Sequence, residues 1–563
     1  VGVVGDPRAS RVEPLLAALF VAASLTLVLL HVGGDSATSD EPVHIASAVE
    51  MVRQGTGRWN VEHPPLAKAI AGLALTGVPL ELPPNAFEDT RHASILYRFL
   101  FENRTPGDWI LLRARLPFAL LLGALLLAVR GIANRLLGPP AGLFALALAA
   151  FDPNLIAHAG VVHTDVAVTL FAVVGILPLL SLADPERRAA PVLLGLAWGA
   201  AMLSKYDAPL LVLATLPVLW LAPGIRGRGR LVAVRLLAAI GVAALVTVAG
   251  FAAAYRHQSA ADREALAKDR LLVRGRSPAA LRVADAVGRV LPPAENAVTG
   301  ALSVVLQSRV GAGVNYFLGR ISKDGSPLYF PVALLTKAPL GLLLAAFVGA
   351  ISPPGRRLAL ALGAGLLLFL LASARSTYNI GVRHVLVAFP FAALIGAAAA
   401  KAGRVRAAVV GLFVAVEAGE TLRVHPHELS FLNVAAGGVQ AGRRLFADSN
   451  VDWGQDLARL ASAAPRYGKP PLPTVVFGGD LPRRYAPFLR AVAPGDEDRE
   501  DAVIALGEVP FAIGPELLET KGSPEARRLA ELRAALKERG TRIGEIGGSI
   551  GIWKLERARL AAR

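Results

Sequence analysis

Two acids and a histidine stand close together in Ser39-Asp40-Glu41-Pro42-Val43-His44. Adjacent acids at the start of a helix suit capping. Asp40 would accept backbone N–H groups and Glu41 would favour the positive end of the helix dipole. The alternative is acid–base work, because a carboxylate within reach of a hydroxyl can take its proton. A second stretch is Glu62-His63-Pro64-Pro65-Leu66-Ala67-Lys68. Its prolines rigidify a helix start and would hold His63 and Lys68 in set directions. Asp165 stands at the start of an apolar block and reads equally as an N-cap or as an acid with a chemical task. Lys205, between two apolar blocks, suits a snorkelling lysine. Lys337 falls inside such a block, where an ionisable group is expensive and implies a function or a buried partner.

The elements that must position these residues are apolar helices. The chain has 563 residues, 54% hydrophobic and 18% charged, with a mean hydropathy of +0.50. Soluble domains carry roughly 25% charged residues. The apolar excess sits in blocks that approach the roughly 20 residues needed to cross a bilayer. This excludes a simple soluble enzyme, a fibrous protein and a disordered chain. The expected spans are 13–32, 112–130, 139–157, 161–182, 190–203, 207–222, 231–254, 331–351, 357–373, 382–400 and 405–419. The segment Pro14–Val32 reads as a retained first span, since no small-residue cleavage site closes it. Arg130, Arg135, Arg187, Arg188, Arg226, Arg228, Arg230, Arg235, Arg356, Arg357, Lys401, Arg404 and Arg406 fall on one side of this arrangement. The short loops of the other side hold Lys205, Arg375 and Arg383. The positive-inside rule then places the N-terminus in the cytoplasm and the C-terminus outside. It also accounts for a net charge of +16 without a nucleic-acid partner. The absence of cysteine excludes disulfides, thiolate metal sites and cysteine nucleophiles.

Two long external connections are expected, about 33–111 and 255–330. The first holds two amphipathic stretches, Val43–Gln54 and Pro65–Leu75, which read as helices at the membrane surface. The second is basic and lacks strand patterning, so it reads as a solvated helix pair. From 420 to 563 the long apolar blocks end. Short strand-like runs, Thr474–Phe477, Ala502–Leu506 and Ile550–Leu555, alternate with helical patterns such as Pro524–Arg539. The expectation is a polytopic α-helical membrane protein, catalytic over 1–419, with a small external α/β domain over 420–563.

Taken together, the motifs carry a family resemblance. The Asp40-Glu41 pair with His44, and His63-Pro64-Pro65-Leu66-Ala67-Lys68 in the same loop, resemble the protein O-mannosyltransferase-like glycosyltransferases. Further pieces resemble the bacterial phospholipid-carrier-dependent branch: Phe151-Asp152-Pro153-Asn154, His163-Thr164-Asp165, Leu203-Ser204-Lys205-Tyr206, Tyr329-Phe330-Pro331 with Lys337, and Asn379-Ile380-Gly381-Val382-Arg383-His384. The last is Asp448-Ser449-Asn450-Val451-Asp452-Trp453-Gly454-Gln455-Asp456. The resemblance implies a GT-C fold, about 11 transmembrane helices, in the plasma membrane, the bacterial inner membrane. It also implies transfer of a hexosyl or pentosyl group from a polyprenyl-phosphate sugar to a hydroxyl of a lipid, glycan or protein, on the external face. The β-trefoil insert of the eukaryotic relatives has no counterpart here, so recognition of a protein acceptor by that insert is not implied, and neither is mannose as the sugar.

The resemblance makes Asp40 the general base, with Glu41 beside it and Asp165 as a second acid. It makes His44, His63, Lys68, Lys205, Lys337, Arg375, Arg383 and His384 the groups that hold donor phosphate or substrate. Arg383 is the strongest phosphate ligand among them, because a guanidinium offers two parallel hydrogen bonds. His158, His163, Asp152 and Asp165 fit no compact zinc spacing. The run Asp448–Asp456 fails as a calcium loop, with Arg459 where a bidentate Glu is required. It reads as a turn and N-cap ahead of helix 456–463. Metal-independent, inverting transfer without a cofactor is therefore expected. The rival is a transporter or flippase of a lipid-linked or anionic solute, against which stands the lack of a halved repeat.

Overall fold

The computed structural model describes residues 9–82, 98–310, 313–374, 376–468, 471–477, 482–493, 495–496, 501–520 and 522–556. Each apolar block read from the sequence contains helix, and several are broken into two or more helical pieces. Four helices are long and apolar enough to cross a membrane: Val12–Val32, Gly107–Leu137, Gly229–Ala254 and Pro353–Ser373. Two bent pairs, Pro139–Ala150 with Pro153–Ala159 (62°) and Tyr329–Lys337 with Leu340–Ile351 (105°), bring the number to six if each is one span. The remaining blocks include shorter apolar helices, among them Asp165–Leu179, Ala190–Ser204, Ala208–Leu221 and Ala388–Ala402. Hydropathy marks these blocks as apolar, but their helices are too short to count as spans by length.

The first long connection folds inward. Its helices Glu41–Gln54 and Pro65–Ala74 match the expected stretches, yet most of the first is buried. Ile45, Val49 and Ala71 pack with Leu111 and Phe118 of helix Gly107–Leu137. Close packing replaces the surface-lying arrangement expected for this stretch. Gly72 permits it, because a Cβ there would lie 2.4 Å from the carbonyl oxygen of Ala48. The second connection contains helices Ala260–Ala267, Pro278–Val290 and Pro292–Val310. It also forms a hairpin of β1 (Asn315–Phe317) and β2 (Arg320–Ser322), which corrects the expectation of helices alone. Arg270 of this connection pairs with Glu62 of the first.

The helix Arg404–Val424 runs past the expected boundary at 419. Beyond it a five-stranded mixed sheet forms from β3 (Leu472–Val475), β4 (Leu489–Ala491), β5 (Val503–Gly507), β6 (Gly540–Ile546) and β7 (Ile550–Leu555). The order is β4-β3-β5-β7-β6, parallel on the β4-β3-β5 side and antiparallel through β7 and β6. Helix Glu525–Arg539 buries Leu529, Leu532 and Leu536 against Ile504, Leu506 and Leu555.

Candidate active site

Asp40 occupies the N-cap position of helix Glu41–Gln54, but its carboxylate makes no capping bond. It therefore remains available to other partners. The preceding segment is fixed from the far end of the chain. The Ser36 amide donates to the Gln455 carbonyl at 2.9 Å and the Ser39 amide to the Trp453 carbonyl at 2.8 Å. The Asp448–Asp456 motif thus holds the loop that carries Asp40.

Glu41 points elsewhere. Its buried carboxylate accepts from Arg115 Nε at 2.7 Å and Nη2 at 2.6 Å. It also accepts from the amides of Thr38 at 2.9 Å and Val162 at 3.0 Å. These donors occupy the lone pairs a carboxylate has. Glu41 clamps the first loop to helix Gly107–Leu137 and to the turn before His163. Its surroundings fit that structural task, and they neutralise the like charge that adjacency to Asp40 would suggest.

Arg383 supplies the positive side of the site. Its Nη1 lies 3.4 Å from Asp40 Oδ2 and 2.9 Å from His163 Nε2. Its guanidinium carbon lies 4.1 Å from the Trp453 ring centroid. Its Nε is buried without a partner among the described residues. The backbone here is held on both sides. The Val382 amide donates to Asn450 Oδ1 at 2.7 Å, and the Gly381 amide to the Tyr329 hydroxyl at 2.7 Å. Tyr329 in turn donates to Asp448. Gly381 has φ +72°, and a Cβ there would lie 2.2 Å from Ser449 Oγ, so any side chain would strain the backbone and push Ser449 aside.

Asp165 is not a cap, since Thr164 holds that position. Its two oxygens lie 2.8 Å from Lys205 Nζ and 2.6 Å from His163 Nδ1. Lys205 also lies 3.2 Å from Asp207 and 3.3 Å from His384 Nδ1. Burial works to lower the Lys205 pKa, but Asp165 and Asp207 outweigh it, so the ammonium is held above its ordinary range. His44, His63 and His163 form a triangle, with ring centroids 4.6, 4.7 and 5.3 Å apart. His44 and His63 are pushed well below the imidazole range, first by burial and then by each other and His163.

The structure brings Asp40, His44, His63, Asp165, Lys205, Arg383 and His384 together. Two expected phosphate ligands lie in other roles. Lys68 Nζ donates to the Asn60 carbonyl at 2.9 Å and the Tyr255 hydroxyl at 3.1 Å. Lys337 Nζ donates to the carbonyls of Leu429 at 2.7 Å and Asn450 at 2.8 Å. Both are buried and act as ties between segments. Arg375 lies outside the described residues. Asp456 precedes helix Leu457–Ala463 without a side-chain cap; it binds Arg459 and Ser549 instead. Reading the sequence by local motifs misses Trp453 under Arg383 and Arg115 against Glu41. Arg115 carried a signal, a charge inside an apolar block.

Residues 108–252 match the family model described as dolichyl-phosphate-mannose-protein mannosyltransferase. No curated protein matches the chain. ArnT from Cupriavidus metallidurans, solved bound to undecaprenyl phosphate, is similar over 95% of this chain and 97% of its own, at 16% identity and a TM-score of 0.34. The archaeal oligosaccharyltransferase AglB from Archaeoglobus fulgidus, in complex with an inhibitory peptide and a dolichol-phosphate, is similar over 99% of this chain and 75% of its own. Its identity is 12% and its TM-score 0.48. The segment 108–252, which carries Asp165 and Lys205, is thus a match to the dolichyl-phosphate-mannose-protein mannosyltransferase family, the relationship that the motifs imply.

Proposed function

We propose that this chain is a membrane glycosyltransferase that moves a sugar from a polyprenyl-phosphate donor to a hydroxyl acceptor. The observation that carries the reading is the pairing of Asp40 with Arg383 at 3.4 Å, at the meeting point of three separate chain segments. Such a transfer needs a base and an anion site in one pocket, with the anomeric carbon between them once donor and acceptor are bound. The acceptor oxygen bonds to the anomeric carbon as the bond from that carbon to the phosphate oxygen breaks. The electron pair leaves with the lipid phosphate, and the acceptor proton goes to Asp40. Attack from the face opposite the phosphate inverts the anomeric configuration.

Asp40 is the most accessible acid of this cluster, with its side chain 36% exposed, while Asp165 is at 1%. Arg383 offers its unpartnered Nε and its outer nitrogens to the departing phosphate. Lys205 adds positive charge, already balanced by Asp165 and Asp207. The apolar helices around the site suit a donor whose tail stays in the bilayer. An external-facing site in a bacterial inner membrane is the orientation that the basic loops favour.

The test uses purified protein in nanodiscs with a panel of polyprenyl-phosphate sugars. Release of polyprenyl phosphate and donor binding are followed for wild type and Asp40→Asn. Turnover by wild type that is lost in Asp40→Asn, with donor binding kept, is the expected result. Donor binding by both proteins with turnover by neither, across a wide acceptor panel, favours transport instead.

A further inference from the structure

We propose that His44, His63 and His163 form a binding site for a divalent cation of the zinc type beside Asp40. Each histidine offers one ring nitrogen, and these atoms all lie within 4.8 Å of one another. Three imidazoles with an open fourth position are a donor set that zinc accepts, and imidazole suits borderline metals in general. No compact sequence spacing announces the site, because two ligands come from separate pieces of the first connection and one from the turn before Asp165. This departs from the expectation of no metal, which tested ligand sets close together in sequence.

Three further observations point the same way. First, the ring orientations are set from behind. His63 Nδ1 lies 2.6 Å from Asn60 Oδ1, and His163 Nδ1 lies 2.6 Å from Asp165 Oδ2. With Nδ1 protonated toward these oxygens, Nε2 of each ring would keep its lone pair, the arrangement typical of metal-bound histidine. Second, His44 is 2% exposed, and its Nε2 has no partner among the described residues. A buried ring nitrogen left unmet is costly and implies a ligand. Third, His163 Nε2 already faces a cation, Arg383 Nη1, at 2.9 Å, and Asp40 Oδ2 lies 3.8 Å from the same nitrogen.

Lys68, Lys205 and Arg383 oppose a cation here, while Asp40 and Asp165 favour it. Binding requires the Arg383 guanidinium to withdraw from His163, so the ion and that contact compete. The open coordination position would face Asp40, where the acceptor oxygen of the proposed transfer has to stand. That placement rests on the transferase reading; binding of the ion does not.

The test reads binding without turnover, so its failure is separate from failure of the donor assay. Tag-free full-length protein is stripped with chelator and titrated with Zn²⁺, and with Co²⁺ as a spectroscopic probe. One equivalent per chain is expected, with a Zn²⁺-dependent rise in Tm. Zinc-edge absorption of wild type should show three imidazole ligands. His44→Gln, His63→Gln and His163→Gln should each lose the equivalent and the rise in Tm. Asp165→Asn, which frees the His163 ring, should weaken binding by about 10- to 100-fold. Arg383→Gln should bind at least as tightly as wild type. Oxygen-dominated coordination in wild type, no retained equivalent, or equal affinity in folded histidine variants overturns the proposal. The absorption measurement decides the matter on wild type alone should a variant not fold.

Discussion

Trp453 lies under Arg383, with the guanidinium carbon 4.1 Å from the indole centroid. The two residues are far apart in sequence and meet because the Asp448–Asp456 turn folds back over the Gly381–His384 turn. Trp453 also meets the His163 ring edge-on, at 5.4 Å between centroids. One indole therefore positions both neighbours of Asp40.

Trp453→Ala should weaken donor binding while leaving the chemical step at saturating donor less affected. A cation–π contact contributes about 0.5–2 kcal/mol. The expected loss of affinity is about 2- to 30-fold. Trp453→Phe should recover part of it, because a flat ring remains. Equal donor affinity in Trp453→Ala and wild type, with only Tm reduced, would reduce Trp453 to a packing residue.

The Glu41–Arg115 clamp predicts a stability effect rather than a catalytic one. Both side chains are almost fully buried. Removing one partner leaves an uncompensated buried charge, which costs about 3–5 kcal/mol. Glu41→Gln should therefore lower the Tm in detergent sharply. Combining Glu41→Gln with Arg115→Met, which removes the stranded charge, should restore part of that loss. A stable Glu41→Gln protein with abolished turnover would return Glu41 to the catalytic group.

Much of this site was legible in the sequence as a set of pieces, and little of it as an arrangement. Asp40, Asp165, Lys205, Arg383 and His384 converge, and the expected alternation of apolar blocks and basic loops puts them at the same end of their blocks. That alternation says which end of a block a residue occupies, but not which way its side chain turns. Adjacency made Glu41 a companion of Asp40, yet a helix start sends successive side chains in different directions, and Glu41 found Arg115. Lys68 and Lys337 carry the residue type of a phosphate ligand, but backbone carbonyls are their partners. Strand content around 315–322 was invisible because a three-residue strand is too short for alternation to register. In the C-terminal sheet, Val503–Gly507 and Ile550–Leu555 bury apolar side chains on successive positions, and there the runs matched the strands closely.

The buried acids of the Asp448–Asp456 turn predict a pH dependence of stability. Burial pushes the Asp452 carboxyl up to about 7, against hydrogen bonds from the Gly454 and Val509 amides. Burial also pushes Asp448 up to about 6. The fold thus favours the protonated form of each. Between the ordinary value of 3.8 and these raised values, the unfolded chain has lost the proton that the folded chain keeps. The stability they contribute is therefore full at acid pH, declines as pH rises toward 7, and is flat above it. The slope is at most about 1.4 kcal/mol per pH unit for each group. The buried neutral histidines act in the opposite sense over the same window, so the carboxyl is read from the difference between wild type and Asp452→Asn. The Tm of Asp452→Asn relative to wild type should rise as pH increases from about 4 to 7 and level off above. A Tm difference that does not change with pH would contradict this account.

Lys337 separates a direct from an indirect role in donor binding. Its ammonium donates to the Asn450 carbonyl, Asn450 Oδ1 accepts from the Val382 amide, and Val382 precedes Arg383. Lys337→Met keeps the bulk of the side chain but strands the carbonyls of Leu429 and Asn450. Each buried unmet acceptor costs about 1–3 kcal/mol. The turn that aims Arg383 should loosen, so Tm and donor affinity should fall together. A lysine that contacted phosphate directly behaves differently, because replacing a charge held for a ligand leaves the unliganded protein as stable or more so. Unfolding and donor-binding curves measured on the same Lys337→Met preparation distinguish the two. Loss of affinity without loss of Tm would make Lys337 a phosphate ligand after all.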